Sequence, residues 1–83
     1  MPNAAEEAIL KLLASLPVGK TIAPEEAARA AAGDADWHTH LGVVRRAAVK
    51  LALDGRLVIY RKGKPVDPTD FKGVYRLGLS RLD

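Results

Sequence analysis

Hydrophobic residues recur at every third or fourth position over the first part of the chain, which is the spacing of one face of an α-helix. This repeat predicts a first helix over residues 4–16, with Asn3 as its N-cap. A second helix is predicted over residues 24–32, because Pro24 suits a first helical position and Gly33 suits a helix end. The first part of the chain is therefore expected to form two short amphipathic helices.

The third apolar repeat is the longest and predicts a helix over residues 37–54. Asp36 precedes this helix as a candidate N-cap, and Gly55 follows it as a residue suited to the left-handed conformation that ends many helices. At about 100° per residue, one arc of the helix collects the apolar side chains that should face the core. Those side chains are Trp37, Leu41, Val44, Ala48 and Leu51.

Past the third helix the apolar period shortens to two, which indicates β-strands. Two strands are predicted, over residues 56–61 and 74–79, and residues 20–22 can add a short β-bridge. Residues 62–73 then form a long hairpin loop. The strand side chains expected to cover the helices are Leu57, Ile59, Leu77 and Leu79.

This order of elements is that of a winged helix-turn-helix. The expected fold class is α+β, with three helices and a C-terminal antiparallel β-ribbon of two or three strands that closes the core. We expect residues 1–83 to form one such domain, since a chain of this length supports a single core. The third helix would be the recognition helix, and residues 62–73 would be the wing.

The predicted wing is basic and contains residues that favour a defined shape. Gly63 permits a sharp turn, and Pro65 stiffens the segment that follows it. Asp67 can cap a single helical turn, with Asp70 at the acidic position of a capping box. Basic side chains on a stiff ribbon suit phosphate contacts, although the two carboxylates at the tip oppose them. The alternative is a solvated hairpin whose charges prevent edge-to-edge pairing.

Charge is unevenly distributed along the chain. Residues 1–36 carry three basic and six acidic side chains, whereas residues 37–83 carry ten basic and four acidic ones. This imbalance favours an anionic partner for the C-terminal half. There are no cysteines, and no apolar run approaches the roughly 18 residues of a membrane span. We therefore expect a cytoplasmic protein with no membrane partner.

The leading functional hypothesis is binding of double-stranded DNA, in the manner of a transcriptional regulator. The third helix would enter the major groove, and Arg46 is the best candidate for a guanine contact because it points away from the core. Gly42 lies on the same exposed face. The candidate base-contacting residues are His38, Thr39, Arg45 and Arg46, and the candidate phosphate-contacting residues are Lys50, Arg61, Lys62, Lys64 and Lys72.

A protein-interaction module of the same fold is the alternative function. Leu10, Val49 and Leu53 could form an apolar patch for a partner protein or for a homodimer. Winged helices serve both roles, so fold alone does not decide between them.

Catalysis is not expected, because no nucleophile–base set or glycine-rich phosphate loop appears in the sequence. His38 and His40 stand two positions apart and cannot share a metal ion from a regular helix, so neither a metal nor a cofactor is predicted.

The stretch "DWHTHLGVVRRAAVKLALDGRLVIYRKGKPVDP", followed by "KGVYRLGL", resembles the small bacterial proteins of the domain of unknown function 3253 family. The segment "GKTIAPEEAARA" is similar to the family's "GKTICPSEVARA", from which Ala23, Glu25 and Ala27 depart. The resemblance implies a winged-helix fold and brings no established activity, so it assigns no functional residue. The positions that match are Trp37, Val44, Arg45, Ala47, Ala48, Gly55, Arg56, Gly63, Pro65, Val66, Asp67, Pro68 and Arg76.

Overall fold

Three α-helices, a 3₁₀ helix and a four-stranded antiparallel sheet form the part of the chain that the computed structural model describes, residues 4–17 and 19–79. The predicted cap at Asn3 lies outside these residues. The helices are α1 (Ala4–Ala14), α2 (Pro24–Ala32), the 3₁₀ helix (Trp37–His40) and α3 (Leu41–Leu53). The strands are β1 (Thr21–Ile22), β2 (Leu57–Arg61), β3 (Lys64–Pro65) and β4 (Arg76–Leu79). The fold is therefore α+β, as predicted, and it is compatible with a winged helix-turn-helix.

The hydrophobic core lies between the helices and one face of the sheet. Its largest fully buried side chains are Ile9, Leu13, Val44, Leu51, Ile59 and Leu77. Two of these side chains come from α1, two from α3 and two from the β2–β4 strand pair, so no single element forms the core alone. Leu79, which was predicted on the same face, is 38% exposed because it lies at the end of β4. Within the described residues, no helix is long and apolar enough to cross a membrane.

The strand order in the sheet is β1-β4-β2-β3. The β2–β4 pairing forms the expected ribbon, and β1 joins it through Ile22, which lies opposite Leu77. The fourth strand corrects the prediction of two or three strands, because β3 pairs with the outer edge of β2 through Tyr60 opposite Pro65. A proline is tolerated there because an edge strand need not donate a hydrogen bond from every residue.

The ends of two helices differ from the prediction. α1 ends at Ala14 rather than at residue 16, since the hydroxyl of Ser15 donates to the carbonyl oxygen of Leu12 at 3.0 Å and the chain tightens into a turn. The predicted third helix begins instead as the 3₁₀ helix and becomes α-helical only at Leu41. Asp36 makes no capping hydrogen bond with its side chain, and its carbonyl oxygen accepts one from the Thr39 hydroxyl at 2.9 Å.

The predicted wing is not an extended loop. The chain reverses at Lys62 and Gly63, both with positive φ, and returns as β3 beside β2. The single turn predicted at Asp67 forms, since the backbone N–H of Asp70 donates to the carbonyl oxygen of Asp67 at 3.1 Å. The carboxylate of Asp67 caps this turn by accepting hydrogen bonds from the backbone N–H and the hydroxyl of Thr69, at 2.9 Å and 2.8 Å, and these bonds lower the pKa of Asp67.

Residues 66–75, the returning loop, carry the chain from β3 back to the start of β4. Phe71 and Tyr75 of this loop are buried, with their rings edge to face at a centroid distance of 5.1 Å. The loop is therefore anchored to the body of the domain beside α3.

Candidate functional site

A narrow stripe of exposed residues runs from the 3₁₀ helix along the solvent face of α3, and it is formed by Thr39, Gly42, Arg46, Lys50 and Leu53. At the start of the stripe, His38 is exposed and its ring stacks on Trp37 at a centroid distance of 3.6 Å. Thr39 uses its hydroxyl within the preceding turn. The predicted base-contacting residues His38, Thr39 and Arg46 are thus brought to one surface.

Arg46 lies at the centre of this stripe with its guanidinium beside Gly42. A β-carbon placed on Gly42 would lie 3.7 Å from Nη1 of Arg46. Arg46 makes no ion pair or hydrogen bond through its side chain within residues 4–17 and 19–79. The missing side chain at Gly42 leaves room for a ligand to approach the helix backbone next to this free cation.

Arg45, the fourth predicted base-contacting residue, faces a different direction. Its Nη2 donates a hydrogen bond to the carbonyl oxygen of Phe71 at 2.8 Å, and its guanidinium carbon lies 4.0 Å from the centroid of the Phe71 ring. The same guanidinium is 5.8 Å from the ring of Tyr75, whose pKa is raised by burial in spite of the nearby positive charge. Arg45 therefore fastens the returning loop to α3.

Two predicted phosphate contacts also have partners inside the protein. Nζ of Lys50 lies 3.4 Å from Oε1 of Glu6, whose side chain is only 5% exposed, so the pair joins α1 to α3. Nε of Arg61 donates to the carbonyl oxygen of Val74 at 3.1 Å. Gly73, with a φ of +84°, leaves space for that arginine, because a β-carbon there would lie 2.9 Å from its Nη2.

The remaining predicted phosphate contacts are on the hairpin and the returning loop. Lys62, Lys64 and Lys72 are all exposed. None of the three is paired with a carboxylate in the described part of the chain. The predicted cluster is therefore split between these three free lysines and Arg61, which is held against the returning loop.

A groove that sequence reasoning did not predict lies between the start of α2, the start of α3 and the returning loop. Its volume is about 610 Å³. It is lined by residues 23–25, by Trp37, Leu41, Gly42 and Arg45, and by residues 73–76. Val74 is 84% exposed on its outer wall, which is high for a branched apolar side chain.

The groove arises where β1 and β4 separate. The side chain of Arg76 donates two hydrogen bonds to Thr21, at 2.6 Å and 3.0 Å, and these bonds hold the strands together next to the last pair, Ile22 and Leu77. Beyond that point β1 turns into α2 at Pro24, while the chain preceding β4 turns away at Gly73. One of the lining residues, Gly42, has no side chain that could extend into the gap.

The positions of three separate chain segments create this groove, so no local motif could have revealed it. The one local indication of the groove in the sequence was Val74, an apolar residue that the strand pattern places on the face away from the core. Among the described residues, no group of three histidine or acidic side chains could hold a metal ion.

A comparison with family models matches residues 2–80 to the family described as "Protein of unknown function (DUF3253)". The chain belongs to this family. The match spans nearly the whole of the 83 residues and agrees with the resemblance seen in the sequence. No curated protein shows significant similarity to the chain.

Several residues that carry the DUF3253 resemblance have clear structural roles in this chain. Gly55 and Gly63 have φ values of +79°, the first beyond the end of α3 and the second in the hairpin turn. Arg45 holds the returning loop, and Arg76 joins β4 to β1. The "PVDP" stretch ends β3 and begins the turn at Asp67. In this DUF3253 protein the resemblance thus coincides with residues that shape the sheet, the hairpin and the groove.

Proposed function

We propose that this protein binds double-stranded DNA through the exposed stripe of α3 and the basic hairpin, as a binding module without catalytic activity that acts in the cytoplasm. The observation that carries the proposal is Arg46, a free guanidinium at the centre of the stripe beside Gly42. A guanidinium in that setting is suited to a bidentate contact with guanine or to a phosphate.

Free basic side chains elsewhere on the C-terminal half add support. Four of them, Arg56, Lys62, Lys64 and Lys72, are exposed, and none forms an ion pair with an acidic side chain among the described residues. Such residues release counterions when they meet phosphates, which supplies affinity without sequence choice.

The internal contacts limit how selective the proposed binding can be. Arg45, Lys50 and Arg61 are already used to hold the fold together. The base-reading set is thereby reduced to Arg46 with His38 and Thr39. A monomer of this kind should bind duplex DNA with a Kd of roughly 10⁻⁴ to 10⁻⁶ M and little sequence preference.

The test is fluorescence anisotropy of a labelled random-sequence duplex at low and moderate salt. Arg46→Ala and Lys64→Ala should each weaken binding, and Lys64→Ala should also reduce the salt slope by about one unit because it removes a phosphate contact. Lys11→Ala is the matched control, since Lys11 is an exposed cation of α1 that belongs neither to the stripe nor to the hairpin, and its loss should leave affinity within about twofold. Absence of binding at low salt, or an equal loss with Lys11→Ala, would overturn the proposal.

A protein-interaction role is the second candidate. The predicted patch of Leu10, Val49 and Leu53 contains one strongly exposed member, Leu53 at 61%, while Leu10 and Val49 pack against the core. A single exposed leucine is ordinary on a protein surface and gives little support for a homodimer. The apolar groove favours this second role more strongly.

A further inference from the structure

The groove between α2, α3 and the returning loop has the character of a docking surface rather than of a gap in the core. Its walls are mainly apolar, with Trp37 and Leu41 on the α3 side and Val74 and Tyr75 on the loop side. At about 610 Å³ it is large enough for more than one side chain. Apolar surface held open in this way gains free energy when a ligand removes it from water.

The groove is open to solvent on one side, and this determines what size of ligand it can bind. Sites for small molecules enclose most of the ligand surface, commonly about 70–90% of it. Here Val74 is 84% exposed and forms an outer wall without a cover. An isolated small molecule would keep one side in water, whereas a peptide chain can lay alternate side chains into the groove and continue beyond it.

The charged side chains around the groove determine which charge a bound ligand should carry. Arg45 and Arg76 line it, and Arg46 stands at its edge beside Gly42. In Arg76, Nε and Nη2 are bonded to Thr21, which leaves Nη1 directed to no partner in the described residues. The one carboxylate in the lining, Glu25, lies 3.6 Å from Arg29 and is partly neutralised by it. Arg45 is held by Phe71, so the guanidinium groups of Arg46 and Arg76 are the ones available to a ligand, with little opposing negative charge.

We propose that this groove docks a short segment of a partner protein in which apolar side chains alternate with carboxylates. The apolar side chains would pack between Leu41 and Val74, and the carboxylates would pair with Arg46 and Arg76. This interaction surface goes beyond the proposed DNA binding and does not depend on it.

Intrinsic fluorescence gives a direct test, because Trp37 is the only tryptophan of the chain and lies in the groove wall. The probe is a synthetic peptide of about twelve residues with leucines alternating with aspartate and glutamate. We expect a saturable change in Trp37 emission with a Kd of about 10 to 1000 µM. A peptide with asparagine and glutamine in place of the acids should bind at least about fivefold more weakly.

Two neutral substitutions at exposed apolar positions locate the binding. Val74→Gln replaces the apolar side chain of the outer wall with a polar one and should weaken binding of the acidic peptide by about fivefold or more. Leu53→Gln is the matched control, since Leu53 is exposed on the far end of α3, and it should leave affinity within about twofold. Both variants replace exposed side chains, so unchanged thermal unfolding is expected for each and is measured alongside.

Four outcomes would overturn the proposal. The first two are the absence of a saturable change in Trp37 emission with the acidic peptide, and equal affinity for the acidic and neutral peptides. The third is an equal loss of affinity in Val74→Gln and Leu53→Gln. The fourth is that single-stranded DNA or a small aromatic carboxylate binds in a manner that depends on Val74 while the peptide does not bind.

Discussion

At the scale of single residues, the most informative contrast is between the two neighbouring arginines of α3. Arg45 is half-buried and bonded to the carbonyl oxygen of Phe71, whereas Arg46 is exposed and free. From the sequence both belong to the same basic stretch and differ only by 100° around a helix. Their different roles depend on Phe71, which stands 26 positions away and reaches Arg45 only because the returning loop folds back.

This contrast predicts different effects on stability. Arg45→Ala should lower the free energy of unfolding by about 2–3 kcal/mol, because it removes a charged hydrogen bond and a cation–π contact and leaves the carbonyl oxygen of Phe71 without its partner. Arg46→Ala should change the free energy of unfolding by less than about 0.5 kcal/mol. Urea unfolding of both variants measures the difference, and similar losses would contradict the assignment of Arg45 to the returning loop.

The sequence allowed correct placement of Arg46, since helical periodicity alone puts it opposite the core face. Periodicity could not reveal the partners of Arg45, Lys50 or Arg61. Each of these cations is held by a group from a distant segment: Phe71, Glu6 and Val74, respectively. Long-range contacts of this kind follow from the tertiary arrangement, which a one-dimensional pattern does not contain.

At the scale of elements, local signals placed most helix and strand boundaries but missed β3. Pro24 and Gly55 define the start of α2 and the end of α3 as expected. Lys64 and Pro65 contain no apolar alternation, and proline disfavours strands, so this two-residue edge strand had no sequence signature. It forms because a two-residue turn at Lys62 and Gly63 directs the chain back along β2.

The turn itself yields a prediction. Both of its central residues have positive φ, 52° at Lys62 and 79° at Gly63, as a type I′ turn requires. Asparagine tolerates this conformation better than lysine, so Lys62→Asn should raise the free energy of unfolding by about 0.5 kcal/mol. Lys64→Asn removes the same charge from a strand position, where asparagine is disfavoured, and should not stabilise the protein. Chemical denaturation of the two variants tests this, and a gain with Lys64→Asn alone would contradict the turn assignment.

At the scale of the whole molecule, the two proposed binding surfaces are neighbours. The stripe proposed to bind DNA runs along α3 through Gly42 and Arg46, and the groove begins at the same glycine with Arg46 at its edge. Both proposed ligands carry negative charge, and Arg46 can neutralise only one of them at a time. A peptide in the groove would also bring its carboxylates close to the phosphates of a bound duplex, where like charges repel.

The two ligands should therefore exclude each other. In the anisotropy assay at low salt, excess unlabelled acidic peptide should displace the labelled duplex from the unchanged protein, whereas the neutral peptide should displace it far less. Val74→Gln should still bind the duplex within about twofold of the unchanged protein, since Val74 supplies no charge, yet it should resist displacement by the peptide. If peptide and duplex bind together without mutual effect, the stripe and the groove are independent surfaces and Arg46 serves only one of them. Displacement that persists in Val74→Gln would instead mean that the peptide competes from the stripe of α3, outside the groove.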